Sequence, residues 1–259
     1  MKFRPCIDIH NGRVKQIVGS SLEDFGDQVV ENFVSKRDAD FFADFFRKQG
    51  LSGGHVIMLN KSGSPFYEAT KQQAMKALQT YPEGFQIGGG ITATNAEEYI
   101  RAGASHVIVT SYIFSDGQIQ KDHLQALVSA VGKEHIVIDL SCKKRLQKYF
   151  VTTDRWQKYT HAEVDIALLD ELSDSCDEFL VHAADVEGKT LGIDEELVEI
   201  LAQWDGIPIT YAGGVSDYDD IIRMRDLGQS KIDLTIGSAL DIYGGKLHYE
   251  TVLDYFREI

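Results

Sequence analysis

The sequence predicts an α/β fold, a (β/α)8 barrel, from three observations. Eight short strand-like apolar runs alternate with eight amphipathic segments over 259 residues. Landmarks of the first half recur in the second at nearly one offset: Asp8 and Asp139, each ending an apolar run, stand 131 positions apart, Gly89 and Gly213 124 apart, and Thr110 and Gly237 127 apart. Residues of chemical interest also follow many different strands, as at the mouth of a barrel. A doubly wound sheet, the competing architecture, gathers them at one crevice. The repeat divides a single domain, 1–259, into half-barrels of about 1–132 and 133–259, and no Pro/Gly/Ser-rich linker or low-complexity stretch separates them.

The elements read in order as follows. The first strand is Phe3–Ile9, followed by a long connection, His10–Arg37. Asp38–Gln49 (DADFFADFFRKQ) then lines phenylalanines along one helical face. The second unit is His55–Leu59 with helix Tyr67–Thr80. The third strand, Phe85–Gly88, runs into three glycines. Its helix, Thr94–Ala102, takes Thr92 or Thr94 as N-cap and stops at Gly103. The fourth is His106–Thr110 with Ile119–Val131. The fifth strand, His135–Asp139, leads into a second long connection, Leu140–His161, and helix Val164–Ser175. The sixth is Glu178–Ala183 with Asp194–Trp204, capped by Asp194. The seventh is Ile207–Tyr211 with Asp217–Leu227, capped by Ser216 and stopped by Gly228. The eighth is Ile232–Ile236 with His248–Glu258. The strands are nearly continuous apolar runs, as parallel strands covered by helices require. The two long connections occupy equivalent places in the two halves, and loops on that face of a barrel carry function.

Composition narrows the class. No apolar run approaches the roughly 20 residues that span a bilayer, and MKFRPCIDIH lacks a signal-peptide core. Cys6, Cys142 and Cys176 are an odd number without metal-ligand spacing, so they read as reduced thiols of a cytoplasmic protein. A net charge of −14 argues against nucleic acid and anionic membranes as partners. An acidic protein that binds phosphate must do so locally, with backbone N–H groups that glycines let a ligand approach.

The candidate chemistry follows from these positions. Asp8 and Asp139 end the first and fifth strands, on opposite walls of a barrel, where two carboxylates can serve as base and acid on two sides of one substrate. Gly89–Gly90 with Thr110–Ser111 form one small-residue cup. Gly213–Gly214 with Gly237–Ser238 form its internal copy, at the loops after strands seven and eight where barrels commonly bind phosphate. A small molecule phosphorylated at both ends fits such a site. Trp156 is placed to stack on a heterocycle, and His182 ends the sixth strand as a ligand or a satisfied core histidine. Cys6 faces the same way as Asp8 but has no activating partner and reads as barrel filling. Lys143, Lys144 and Arg145 read as solvated, and no lysine ends an apolar strand as a Schiff base would need; Lys61 comes nearest.

Longer segments then carry a resemblance. CIDIHNGRVKQIVG (Cys6–Gly19), GGHVIML (Gly53–Leu59), QIGGGI (Gln86–Ile91), ASHVIVTS (Ala104–Ser111), IVIDLSC (Ile136–Cys142), EFLVHAADVEG (Glu178–Gly188), GIDEELV (Gly192–Val198) and TYAGGV (Thr210–Val215) resemble the phosphoribosylformimino-5-aminoimidazole carboxamide ribotide isomerase family of histidine biosynthesis, in its fungal and plant form. The resemblance covers essentially the whole chain. It implies a duplicated half-barrel without metal or organic cofactor. It also implies an Amadori rearrangement of an aminoaldose to an aminoketose, with Asp8 as general base and Asp139 as general acid. The chain departs from the bacterial pattern after strand six. Ala183 replaces a hydroxyl residue, and Glu187-Gly188-Lys189-Thr190 stands near an Asp-Gly-Thr element, leaving Asp185 or Glu187 to stand in. The family's aspartate at the end of strand two is Asn60, and its Gly-Trp after strand five is Arg155-Trp156. HAADVEG, in place of the Asp-Arg-Asp-Gly of the sister cyclase of imidazole-glycerol-phosphate synthase, favours the isomerase. The alternatives are that cyclase and a non-catalytic phosphate-binding barrel. A self-contained acidic barrel is expected to be a monomer.

Overall fold

Pro5 sets how the barrel closes. The computed structural model describes residues 1–17 and 31–258. Strand β1 runs Phe3–Arg4 and Cys6–His10, interrupted at Pro5, which has no N–H for a ladder. Its first piece pairs with strand β8 (Asp233–Thr235) and its second with β2 (Gly54–Met58), while the Pro5 carbonyl accepts from His55 N at 2.9 Å. One strand thus bonds to both neighbours and seals the ring. The rest of the ring is parallel throughout: β2, β3 (Phe85–Gly88), β4 (His106–Val109), β5 (Ile136–Asp139), β6 (Glu178–His182), β7 (Ile209–Ala212) and β8. Helices α1 (Ala39–Lys48), α2 (Tyr67–Thr80), α3 (Ala96–Arg101), α4 (Lys121–Val131), α5 (Ile166–Ser173), α6 (Glu195–Leu201), α7 (Tyr218–Leu227) and α8 (Tyr249–Glu258) follow the strands in turn.

The expected elements are present with ends shifted by one or two residues, and by three at the end of the sixth helix, where terminal turns fray. Two caps differ. Asp217, not Ser216, caps α7, accepting from Asp220 N at 3.1 Å; Ser216 instead turns back on Asp220, donating from N and Oγ. Neither Thr92 nor Thr94 caps α3: Asn95 holds that position and accepts from Thr92 N at 2.8 Å. Asp194 does cap α6, accepting from Leu197 N.

The long connections contain antiparallel structure that alternating hydrophobicity did not announce. After β1 the chain returns as Arg13–Ile17, paired with β1 and with Glu31–Val34; part of His10–Arg37 lies outside the described residues. After β5 three strands, Cys142–Arg145, Lys148–Thr153 and Lys158–Glu163, form a small sheet over the mouth. A short hairpin, Phe114–Ser115 with Gln118–Ile119, follows β4.

The core has two parts. The larger lies between strands and helices. A smaller cluster of Ile108, Val137, Leu180 and Ala212, with Ile57 against it, fills the barrel itself. Beneath it the interior is polar. Glu178 accepts from Gln86 Nε2 at 2.8 Å and Thr210 Oγ1 at 2.6 Å, and Arg4 reaches Asp233 at 2.7 Å and Glu178 at 3.9 Å. Buried charge is tolerated there because each group has partners. This plug closes the floor, so the open end above β5 and β6 is left for a ligand.

Candidate active site

The strand register puts Asp8 beside Ile57 on one wall, and Asp139 beside Leu180 on another. Asp139 ends β5 and Asp8 lies two residues before the end of β1, and both side chains line the mouth. Two adjoining cavities share it. The larger, about 270 Å³, is lined by Asp8, Gly89, Gly90, Thr110, Ser111, Asp139, Trp156 and His182. The smaller, about 40 Å³, is lined by Asp8, His182, Gly213, Gly214, Gly237 and Ser238. Asp8, Asp139, Trp156, His182 and the residues of both cups therefore each line one cavity or both.

Each cup holds one glycine with no room for a side chain, the first of the pair in one and the second in the other. Gly89 takes φ +104°, and a Cβ there would lie 2.1 Å from the Met58 carbonyl oxygen. Gly214 takes φ +82°, and its Cβ would lie 2.1 Å from the Gly192 carbonyl oxygen. Only glycine allows both the turn and the close approach. Arg155 is the one Lys or Arg among the residues lining the larger cavity, and none lines the smaller. An anion in either cup would be met chiefly by backbone and hydroxyl donors.

The carboxylates differ sharply. Burial pushes the Asp8 carboxyl up to about 7, helped by the charge of Glu187 and opposed by His182 and by Gln16, whose Nε2 donates to Oδ2 at 3.4 Å. Asp139 is held below its ordinary value: burial opposes ionisation, but His182, Thr110 and Ser141 outweigh it. Thr110 Oγ1 donates to Oδ2 at 2.8 Å, Ser141 Oγ contacts both oxygens at 3.0 and 2.9 Å, and His182 Nδ1 donates to Oδ1 at 3.1 Å. Burial works against a charged His182, yet Asp139, then Glu187 and Asp8, raise it to about 9. Close by, with rings 5.9 Å apart, burial and His182 push His55 down to about 3 despite Asp139.

Glu187 was only one of two expectations after strand six, and the structure separates them. Asp185 Oδ2 accepts from Lys144 N at 2.8 Å and pins the small sheet. Glu187 lines both cavities, and its buried Oε2 has no hydrogen-bond partner. Burial raises its carboxyl, with His182 opposing. Asn60 accepts from Asn11 N and Thr70 Oγ1 at 2.8 and 2.7 Å, so it anchors the turn after β1. Gln16, Ser141 and His55 were not anticipated. Ser141 had a readable signal, two residues beyond Asp139; Gln16 and His55 reach the site only through pairing of distant strands. Lys144 pairs with Glu196, and Arg145 lies over the Tyr159 ring at 5.6 Å, so neither enters the mouth. Cys6 is buried, 3.9 Å from the Gln16 amide.

Trp156 sits at the rim, 6.3 Å from the His182 ring. Asp154, Arg155 and Trp156 have φ of +51°, +57° and +65°, three successive left-handed residues that cost of order 1 kcal/mol each. Arg155 Nη2 bridges the mouth to the Leu59 carbonyl at 3.4 Å. Among the described residues no group of His, Cys, Asp and Glu is placed to hold a metal ion, and no helix is long and apolar enough to cross a membrane.

With this geometry in place, comparison with known proteins adds a lineage. Residues 2–248 match the sequence model described as "Histidine biosynthesis protein". The chain belongs to the histidine biosynthesis protein family. Its curated relatives include a Medicago truncatula protein, 50% identical over all of this chain and 82% of that protein, named 1-(5-phosphoribosyl)-5-((5-phosphoribosylamino)methylideneamino)imidazole-4-carboxamide isomerase, chloroplastic. Proteins of Neurospora crassa and Saccharomyces cerevisiae carry the same isomerase name. They are 46% and 42% identical, each over 95% of this chain and 94% of its own length. The (β/α)8 barrel expected from the sequence is thus shown both by the family and by the ring of strands.

Proposed function

We propose that this histidine biosynthesis protein is the aminoaldose–aminoketose isomerase that its relatives are named for, acting on an imidazole carboxamide that carries two phosphoribosyl groups. The observation that carries the reading is the pair of unlike carboxyl sites across one mouth flanked by two glycine cups. Glycine cups at both ends suit a substrate phosphorylated at both ends, whose remote binding energy orients the reacting sugar.

The chemistry needs an acid to protonate the ribose ring oxygen, so that the ring opens to an iminium. It needs a base to take the proton from the adjacent carbon, leaving an enolamine that tautomerises to the ketose. Asp8, near neutrality, suits the base. The acid belongs to the opposite wall, where Asp139 is bonded to His182. Trp156 is suited to stack on the imidazole ring. The three unpaired, buried thiols support a reducing compartment, for which we propose the cytoplasm, and an acidic barrel with its whole site in one chain supports a monomer. The net charge of −14 argues against nucleic acid as a partner.

The test is turnover of the aminoaldose by purified protein, without ammonia or glutaminase. Ketose that forms, and is lost in Asp8→Asn, supports the isomerase. No ketose, with cyclised product appearing from ketose and ammonia, would replace it with the sister cyclase.

A further inference from the structure

Asp139 is poorly placed to hand over a proton. Thr110, Ser141 and His182 direct their donors at it, and both of its oxygens are engaged at 2.8–3.1 Å. A carboxyl that protonates a substrate must turn an O–H toward it, and here the protein occupies both acceptor atoms. His182 is placed differently. Nδ1 is committed to Asp139, which leaves Nε2 as the nitrogen free of that bond on a ring lining both cavities.

Resting on the isomerase reading above, we infer that His182 is the general acid of the reaction, donating from Nε2, and that Asp139 is the anion that orients and charges it. The charged and titratable groups around the ring agree. Asp139 on β5, Asp8 on β1 and Glu187 in the turn after β6 are acidic and favour the imidazolium. His55 on β2 stays neutral, Arg155 from the loop after β5 lines the larger cavity, and Ala212, the β7 neighbour, brings no titratable group. The proton is therefore present on His182 up to about pH 9, while Asp8 is free to accept above about 7.

The step balances. The Nε2 proton passes to the ring oxygen as its bond to the anomeric carbon breaks, and the nitrogen lone pair forms the iminium. Asp8 removes the proton from the adjacent carbon, and that C–H pair becomes the carbon–carbon double bond of the enolamine. Asp8 returns its proton to the former anomeric carbon. The enol hydroxyl gives up its own proton as the ketone forms, which restores the imidazolium.

The experiment is the pH profile of kcat/KM for the wild type, His182→Gln and Asp139→Asn, with substrate affinity measured by calorimetry. Wild-type protein should show an acid limb near 7 and an alkaline limb near 9. His182→Gln should lose about 10²–10⁴-fold in kcat, keep substrate affinity within about threefold, and lose the alkaline limb. Asp139→Asn should move that limb to lower pH. Imidazole added to His182→Ala should restore part of the lost rate. A His182→Gln variant with near wild-type kcat and an intact alkaline limb would overturn the inference. So would an inactive His182→Gln joined to an unmoved limb in Asp139→Asn and no imidazole rescue. Wild-type protein that makes no ketose overturns the isomerase reading itself, a result distinct from either.

Discussion

Asp8→Asn should abolish turnover and yet stabilise the fold, increasingly so as pH rises. The folded carboxyl titrates at about 7 and the unfolded one at 3.8. Between those values the native state holds a proton that the unfolded chain has lost, so raising the pH costs stability. Linkage at about 1.4 kcal/mol per pK unit makes the penalty about 2 kcal/mol at pH 5 and about 4 kcal/mol at pH 8. Asparagine is nearly isosteric, can still accept from Gln16, and carries none of this penalty. Urea unfolding at pH 5 and pH 8 should therefore show Asp8→Asn ahead of wild type at both, with the gap wider by about 3 kcal/mol at pH 8. A gap that stays constant or narrows on going to pH 8 would refute the burial argument and, with it, the reason Asp8 is a base at neutral pH.

Other expectations follow from single contacts. Gly90→Asp puts a charge in the first cup where a Cβ meets no atom within 4 Å, so only the left-handed φ of +72°, about 1 kcal/mol of strain, weighs on the fold, and the folded variant should show KM raised at least about tenfold; an unchanged KM removes that cup from the site. Gly214→Asp should instead lose soluble, folded protein, because its Cβ would lie 2.1 Å from the Gly192 carbonyl oxygen; a normal urea midpoint would contradict this. Trp156→Ala should raise KM about five- to tenfold, the value of one aromatic stack of about 1 kcal/mol, with little change in kcat. Arg4→Met strands Glu178 and Asp233 in the barrel floor and should cost about 3–5 kcal/mol in urea unfolding; a loss below about 1 kcal/mol would mean water already reaches the plug.

Much of the fold was legible because its signals are local. Apolar runs and helical faces mark β and α segments at their own periods, and a barrel of parallel strands repeats the same short unit. The half-barrel repeat placed Asp8 against Asp139 and one glycine cup against the other, while the family came from the longer segments that carry the resemblance. What lay out of reach was every interaction across the ring. The antiparallel additions after β1 and β5 are as long as the barrel strands, but charged and polar residues interrupt them, so no continuous apolar run announced them. Ser216 looks as good a cap as Asp217 until the backbone shows which residue is extended.

By itself, then, the sequence determined the alternation of elements, the strand ends that carry carboxylates and the glycines that line the cups. These depend on residues a few positions apart. Tertiary structure decided their chemistry. His182 charges because β6 lies beside β5 and brings its ring to Asp139, 43 residues earlier in the chain. Asp8 is pushed up to about 7 because burial and the charge of Glu187, whose buried Oε2 makes no hydrogen bond, meet it at the mouth. Proton affinity is set by desolvation and by charges a few ångströms away, and those distances exist only once the ring has closed through Pro5.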